Sequence, residues 1–155
     1  MELLAGLGTW PGAVLLKQSG TAYLLVNASH ILGIALLIGA ILPLDLRLLG
    51  FFRSVPVATL APVLSRMAGI GLGLALVTGA WLFTVRPVEY ARNAAFLWKL
   101  GLLALALANI ALQHRSAAYV RALAGDITAA VRWRAFVSLT LWPGVLLAGR
   151  WIGFL

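Results

Sequence analysis

Four long apolar runs occupy most of this chain, and they constrain its fold more than any other feature. Each is close to the 20 or so residues that one helix needs to cross a bilayer. The runs cover about residues 22–44, 62–85, 94–113 and 136–155, to within a few residues at each end. The first run should stop at Pro43 and Asp45, and the second before Arg86 and Pro87. Asn93 is placed to cap the third. The fourth could begin as early as Asp126, which would cap a helix starting in the interface. Short connections make sequential helices antiparallel neighbours. The expected fold is therefore all-α: an integral membrane up-down-up-down four-helix bundle, forming one domain over residues 1–155.

Composition supports this. The chain is 63% hydrophobic and 10% charged, where a soluble domain carries about a quarter charged residues. The net charge of +8 does not indicate nucleic acid. The basic residues cluster at the ends of apolar runs, as membrane boundaries require, and no basic stripe with interleaved aromatics exists. The partner implied is the lipid bilayer. The absence of cysteine excludes disulfides, thiolate metal sites and iron–sulfur ligation.

Residues 1–18 lack the basic start and cleavage pattern of a secretory signal. They read as a short N-terminal interfacial segment, with Trp10 at headgroup depth and Lys17 reaching outward. Arg47, Arg53, Arg66, Arg115, Arg121, Arg132 and Arg134 fall on one side of the bundle, against Lys17, Arg86 and Arg92 on the other. That bias makes the first side cytoplasmic and directs both termini outward, towards the periplasm in a bacterial cytoplasmic (inner) membrane.

Glycines at residues 69, 71, 73 and 79 in the second run are read as packing positions where helix backbones meet. Pro143 and Gly144 should bend the fourth run, with Thr140 available to compensate the freed carbonyl. The two halves of the chain share no repeat, so an inverted-repeat transporter has no support.

Five polar residues stand where hydrocarbon is expected. His30 lies about 12 Å from the outer end of the first run. Lys99, Thr78 and Arg150 lie at a similar depth in the other three. Tyr23, Asn27 and His30 share one helix face, which Ile34, Leu37 and Ile41 continue inward. Ionisable groups at membrane depth are costly, which makes them functional-site candidates. An imidazole among apolar walls suits the axial position of haem iron, so His30 is the candidate metal ligand. Lys99 or Arg150 would pair with haem propionates, or Lys99 would be a second axial ligand. Asn27 and Thr78 complete the cofactor-binding set. Trp81 and Trp98 would supply apolar walls for a porphyrin or quinone ring. The plainer reading is that His30 hydrogen-bonds to Asn27 or Thr78 across helices, while Lys99 and Arg150 snorkel to the interface. His114 lies about 20 Å deeper than His30, too far to share one haem. It is grouped instead with Asp45, Arg47, Arg66 and Arg115 in a solvated inner cluster, with an ion pair from Asp45.

The stretch from His30 to Gly39, HILGIALLIG, resembles the first core helix of the copper-resistance protein D superfamily. Thr78 and Gly79, the stretch FLWKL from Phe96 to Leu100, and Asn109 resemble later parts of the same pattern. The similarity covers about residues 22–115. It extends to the small bacterial haem-dependent protoporphyrinogen oxidases, in which a histidine and a lysine frame a haem; His30 and Lys99 match those positions. The resemblance implies a b-type haem and redox chemistry. The chain departs from copper handling in lacking cysteine or any chelating pair of histidines or methionines. It has half the helices of the copper-resistance proteins, and no extra arginine flanks His30. Three functions follow as expectations. The first is a haem-binding electron-transfer or oxidation protein with a lipid-soluble partner. The second is a transport module for copper, another metal ion or a small solute. The third is a non-catalytic subunit of a larger membrane complex or homo-oligomer.

Overall fold

Local capping chemistry fixes the helix boundaries. In the computed structural model, which describes residues 2–154, Ser19 Oγ accepts a hydrogen bond from the Ala22 amide at 3.2 Å and opens a 30-residue helix, Gly20–Leu49. Gly50 closes it with φ 108°, and the Phe51 amide returns to the Leu46 carbonyl at 3.0 Å. Only glycine takes this left-handed stop without steric cost. Two short helices precede it, α1 (Glu2–Leu7) and α2 (Pro11–Gln18), so the long helix is α3. After it come α4 (Val57–Phe83), α5 (Pro87–Arg92), α6 (Ala94–His114), α7 (Ala117–Leu123) and α8 (Ala129–Trp151), then a 3₁₀ turn over Ile152–Phe154. Asn93 caps α6 as expected, its Oδ1 accepting from the Phe96 amide at 3.2 Å. Four helices are long and apolar enough to cross a membrane.

Several expectations are not met at helix ends and near Pro143; α4, for one, starts at Val57 rather than at Pro62. Pro43 does not end α3, which continues to Leu49. A proline removes one backbone hydrogen bond; beyond it, Leu44 and Leu48 bury against Val57, Ala61, Tyr119, Ala122, Val131 and Ala135, and that burial holds the helix together. α8 begins at Ala129, earlier than Phe136. Asp126 is not its cap but lies 3.9 Å from Arg121 Nε. Thr140 donates to the Val137 carbonyl at 2.8 Å, not to the Leu139 carbonyl that Pro143 frees.

The helices meet in two pairs. Between α3 and α4 the backbones touch: a Cβ on Gly33 would lie 2.7 Å from the Ala75 nitrogen, and one on Gly71 would lie 2.6 Å from the Leu37 nitrogen. Gly69 and Gly73 face open space instead. α6 pairs with α8, where Asn109 Nδ2 donates to the Arg134 carbonyl at 3.0 Å. Leu37 and Ile41 of α3, Ala106 of α6 and Trp142 of α8 join the pairs in one apolar layer. α4 and α6 make little backbone contact, but at one end Phe83 and Phe96 stack at 5.4 Å and Tyr90 packs on both.

Polar groups turn inward and apolar groups outward. Asp45, Arg47, Thr78, Gln113 and Ser138 are buried, while Leu24, Leu25, Ile31, Ile70, Val77, Leu105 and Leu147 are exposed. That polarity suits a lipid solvent and would be costly in water. The inner cluster expected around Asp45 divides: Arg66, His114 and Arg115 are exposed, while Asp45 and Arg47 are buried. Asp45 is buried in α3 and pairs with no cation among the described residues. Arg47 donates to the Val55 carbonyl at 2.6 Å instead. The N-terminal segment packs on the bundle. Trp81 Nε1 donates to the Gly12 carbonyl at 3.0 Å, Ala13 and Leu16 are buried, and Lys17 turns back to the Gly8 carbonyl at 2.6 Å rather than reaching outward.

Candidate functional site

The Gly33–Gly71 crossing determines what His30 can reach. His30 sits one turn outward of Gly33, so the close approach of α4 brings its ring against the Ala75–Gly79 turn. His30 Nδ1 lies 2.9 Å from the Ala75 carbonyl oxygen and 3.1 Å from Thr78 Oγ1. Thr78 is buried and donates its own hydroxyl proton to the Leu74 carbonyl at 2.6 Å, which leaves Oγ1 to accept. A carbonyl can only accept, so the network assigns the ring proton to Nδ1. In the neutral imidazole the lone pair then resides on Nε2. No hydrogen bond engages Nε2 among the described residues. Below the ring lies Gly79, where a Cβ would stand 2.9 Å from His30 Cε1.

Lys99 is seated in a similar way on the other helix pair. The Asn93 cap starts α6 so that Lys99 faces α8 at Gly149. A Cβ there would lie 3.4 Å from Lys99 Cε and 3.5 Å from Nζ. The side chain is half-buried, with no hydrogen bond or ion pair among the described residues. His30 and Thr78 are thus brought together, while Lys99 sits against α8 on the other helix pair.

The other candidates are placed differently. Asn27, one turn outward of His30, is half-buried and makes no side-chain hydrogen bond among the described residues. Arg150 is exposed, with its guanidinium carbon 5.1 Å from the centre of the Phe154 ring. The expected aromatic walls are absent from the His30 level: Trp98 is 71% exposed, and Trp81 belongs to the N-terminal cap with Trp10. His114 packs at a tilt against Tyr119 at the inner end, with ring centres 4.9 Å apart.

No protein-family model, curated protein or solved structure matches this chain. The residues must therefore carry the functional reading themselves.

Their donor chemistry is selective. No group of three or more His, Asp or Glu able to hold a metal exists among the described residues, whereas zinc and copper sites draw three or four protein ligands. A single imidazole with a free Nε2 fits a metal that brings its own equatorial ligands, as a porphyrin iron does. The Nδ1–H bond to a backbone carbonyl is the support that metal-binding histidines generally have, since it fixes the tautomer and aims the other nitrogen. His30 does not line the cavity bounded by α3, α4, α6 and α8. Gly79 and Gly149 were missing from the sequence-derived site; the signal was a small residue one helix away from each buried ionisable group.

Proposed function

We propose that this chain is an up-down-up-down membrane protein of the bacterial cytoplasmic membrane, with both termini outside, that binds a flat metal-bearing cofactor through His30. A b-type haem is the group that the donor set fits best. The observation that carries the reading is the His30 Nδ1 contact with the Ala75 carbonyl, which leaves Nε2 as a ligand. In this reading Ala75, Thr78 and Gly79 orient the ring, and Lys99 offers an ammonium to an acidic substituent of the cofactor. When bound, such a group supplies one-electron chemistry, and the apolar surroundings favour a lipid-soluble partner such as a quinone or porphyrin.

Absorbance tests this directly. Purified protein titrated with haemin should develop a Soret band that saturates near one equivalent. His30→Ala should lose the band and His114→Ala should keep it. A wild-type protein with no Soret band after haemin addition rejects the reading.

A further inference from the structure

A second polar site lies about 22 Å inward of His30 along α3, beyond the layer of Leu37, Ile41, Ala106 and Trp142. It is a cavity of about 180 Å³ bounded by α3, α4, α6 and α8, with Tyr119 of α7 at its inner end. Two oxygens on its lining are buried without any hydrogen-bond partner, Asp45 Oδ2 and Gln113 Oε1. Both residues are 7% exposed. Leaving a buried acceptor unsatisfied costs about 1–3 kcal/mol, and more for a carboxylate.

Ser138 is the hydroxyl on the lining that reaches the Asp45 carboxyl group, but Asp45 Oδ2 and Gln113 Oε1 themselves keep no donor. Arg134 reaches the cavity edge, but its guanidinium donates to the Leu112 carbonyl at 3.4 Å. His114 is exposed and its Nδ1 is engaged by the Ile110 carbonyl at 3.1 Å. Asn109 has committed its Nδ2 to the Arg134 carbonyl. The site therefore presents acceptors and a carboxyl group, and asks for a cationic donor. The rest of its lining is largely apolar, including Leu37, Ile41, Leu72 and Ile110, with Ser65 and Ser138 adding hydroxyls. Water would satisfy the oxygens but gains nothing from those walls. The volume is comparable with apolar protein cavities of about 150 Å³ that accept one benzene ring.

We propose that this cavity binds a small amphipathic ammonium compound, with its N–H groups on Asp45 Oδ2 and Gln113 Oε1 and a ring-sized apolar body against Leu37, Ile41, Leu72 and Ile110. Pairing offsets the cost of a buried carboxylate, and the body displaces water from apolar surface. The site is independent of the cofactor reading and shares no residue with it.

Calorimetric titration of the full chain in lipid nanodiscs tests the proposal with three probes: benzylammonium chloride, benzyl alcohol and ammonium chloride. Benzylammonium should saturate at one per chain and bind at least tenfold more tightly than either other probe. Asp45→Asn should weaken it at least tenfold. Ala68→Leu, which fills the cavity wall without touching the carboxyl group, should do the same, and His30→Ala should leave it unchanged. Circular dichroism establishes that each variant is folded, and Asp45→Asn alone decides if Ala68→Leu is not. Equal affinity for benzyl alcohol, or undiminished binding by folded Asp45→Asn, overturns the proposal. So does ammonium binding as tightly as benzylammonium, which would make this an inorganic cation site, or the absence of saturable binding to the wild type.

Discussion

The His30 ring rests directly on Gly79: a Cβ at that position would come within 2.9 Å of His30 Cε1. Gly79→Ala must therefore shift the imidazole away from the Ala75 carbonyl, because every atom the new Cβ meets belongs to the His30 ring. The expected cost is about 1–3 kcal/mol, with haemin affinity falling alongside. Gly149→Ala is the control. Its Cβ meets Lys99 at 3.4 Å, an ordinary contact, so stability should change by no more than about 0.5 kcal/mol. Thermal unfolding of the pair in detergent checks this, and equal losses would show that the seat beneath His30 is not tight.

Thr78 holds the second hydrogen bond to the ring, at 3.1 Å from Nδ1. Thr78→Val keeps the shape but removes the acceptor, and should destabilise by about 1 kcal/mol. Thr78→Ser should restore most of it, since the hydroxyl remains. Nδ1 keeps the Ala75 carbonyl in either variant, so the ring tautomer should not change. Nitrogen-15 shifts of the His30 ring report the tautomer; a switch to Nε2–H in Thr78→Val would show that Thr78, not Ala75, sets it.

How much of this was legible in the sequence depended on which force placed each residue. The four spans were visible because hydrophobicity over about 20 residues is a strong and additive signal. The pairing of His30 with Thr78 was visible because both are polar residues at one depth, facing hydrocarbon on every other side. The fate of Asp45 was hidden by Pro43. A proline reads as a stop, and only the burial of Leu44 and Leu48 against α7 and α8 shows why the helix runs on and carries Asp45 inside. Trp98 was misplaced for a related reason: hydrophobicity does not reveal facing when lipid and core are equally apolar, and the residue is 71% exposed.

The same ambiguity makes the glycines of α4 a sharp test. Gly71 and Gly73 look alike in sequence, yet a Cβ on Gly71 would lie 2.6 Å from the Leu37 nitrogen while one on Gly73 meets nothing within 4 Å. Gly71→Ala has to part the backbones of α3 and α4, and that also carries Ala75 away from His30. It should cost about 2 kcal/mol or more and weaken haemin binding. Gly73→Ala removes a flexible residue from a helix interior and should stabilise by about 0.5–1 kcal/mol. Opposite signs in thermal unfolding are the expected outcome; matching signs would mean that the crossing lies elsewhere on α4.

Trp81 tests whether the N-terminal segment is held by the bundle or merely lies near it. Its indole N–H donates to the Gly12 carbonyl at 3.0 Å, and its ring meets Trp10 edge-on at 6.3 Å. Trp81→Phe keeps an aromatic ring for Trp10 and loses only the donor. The loss should be about 1 kcal/mol, which is roughly a fivefold change in an opening equilibrium. Because α2 is a short peripheral helix, the opening should be local rather than global. Hydrogen exchange of the α2 amides should therefore quicken about fivefold, while the melting temperature and the exchange of α3 and α4 stay as in the wild type. Faster exchange spread evenly over all four spans would instead make Trp81 part of the bundle core, and the cap a passive consequence of it.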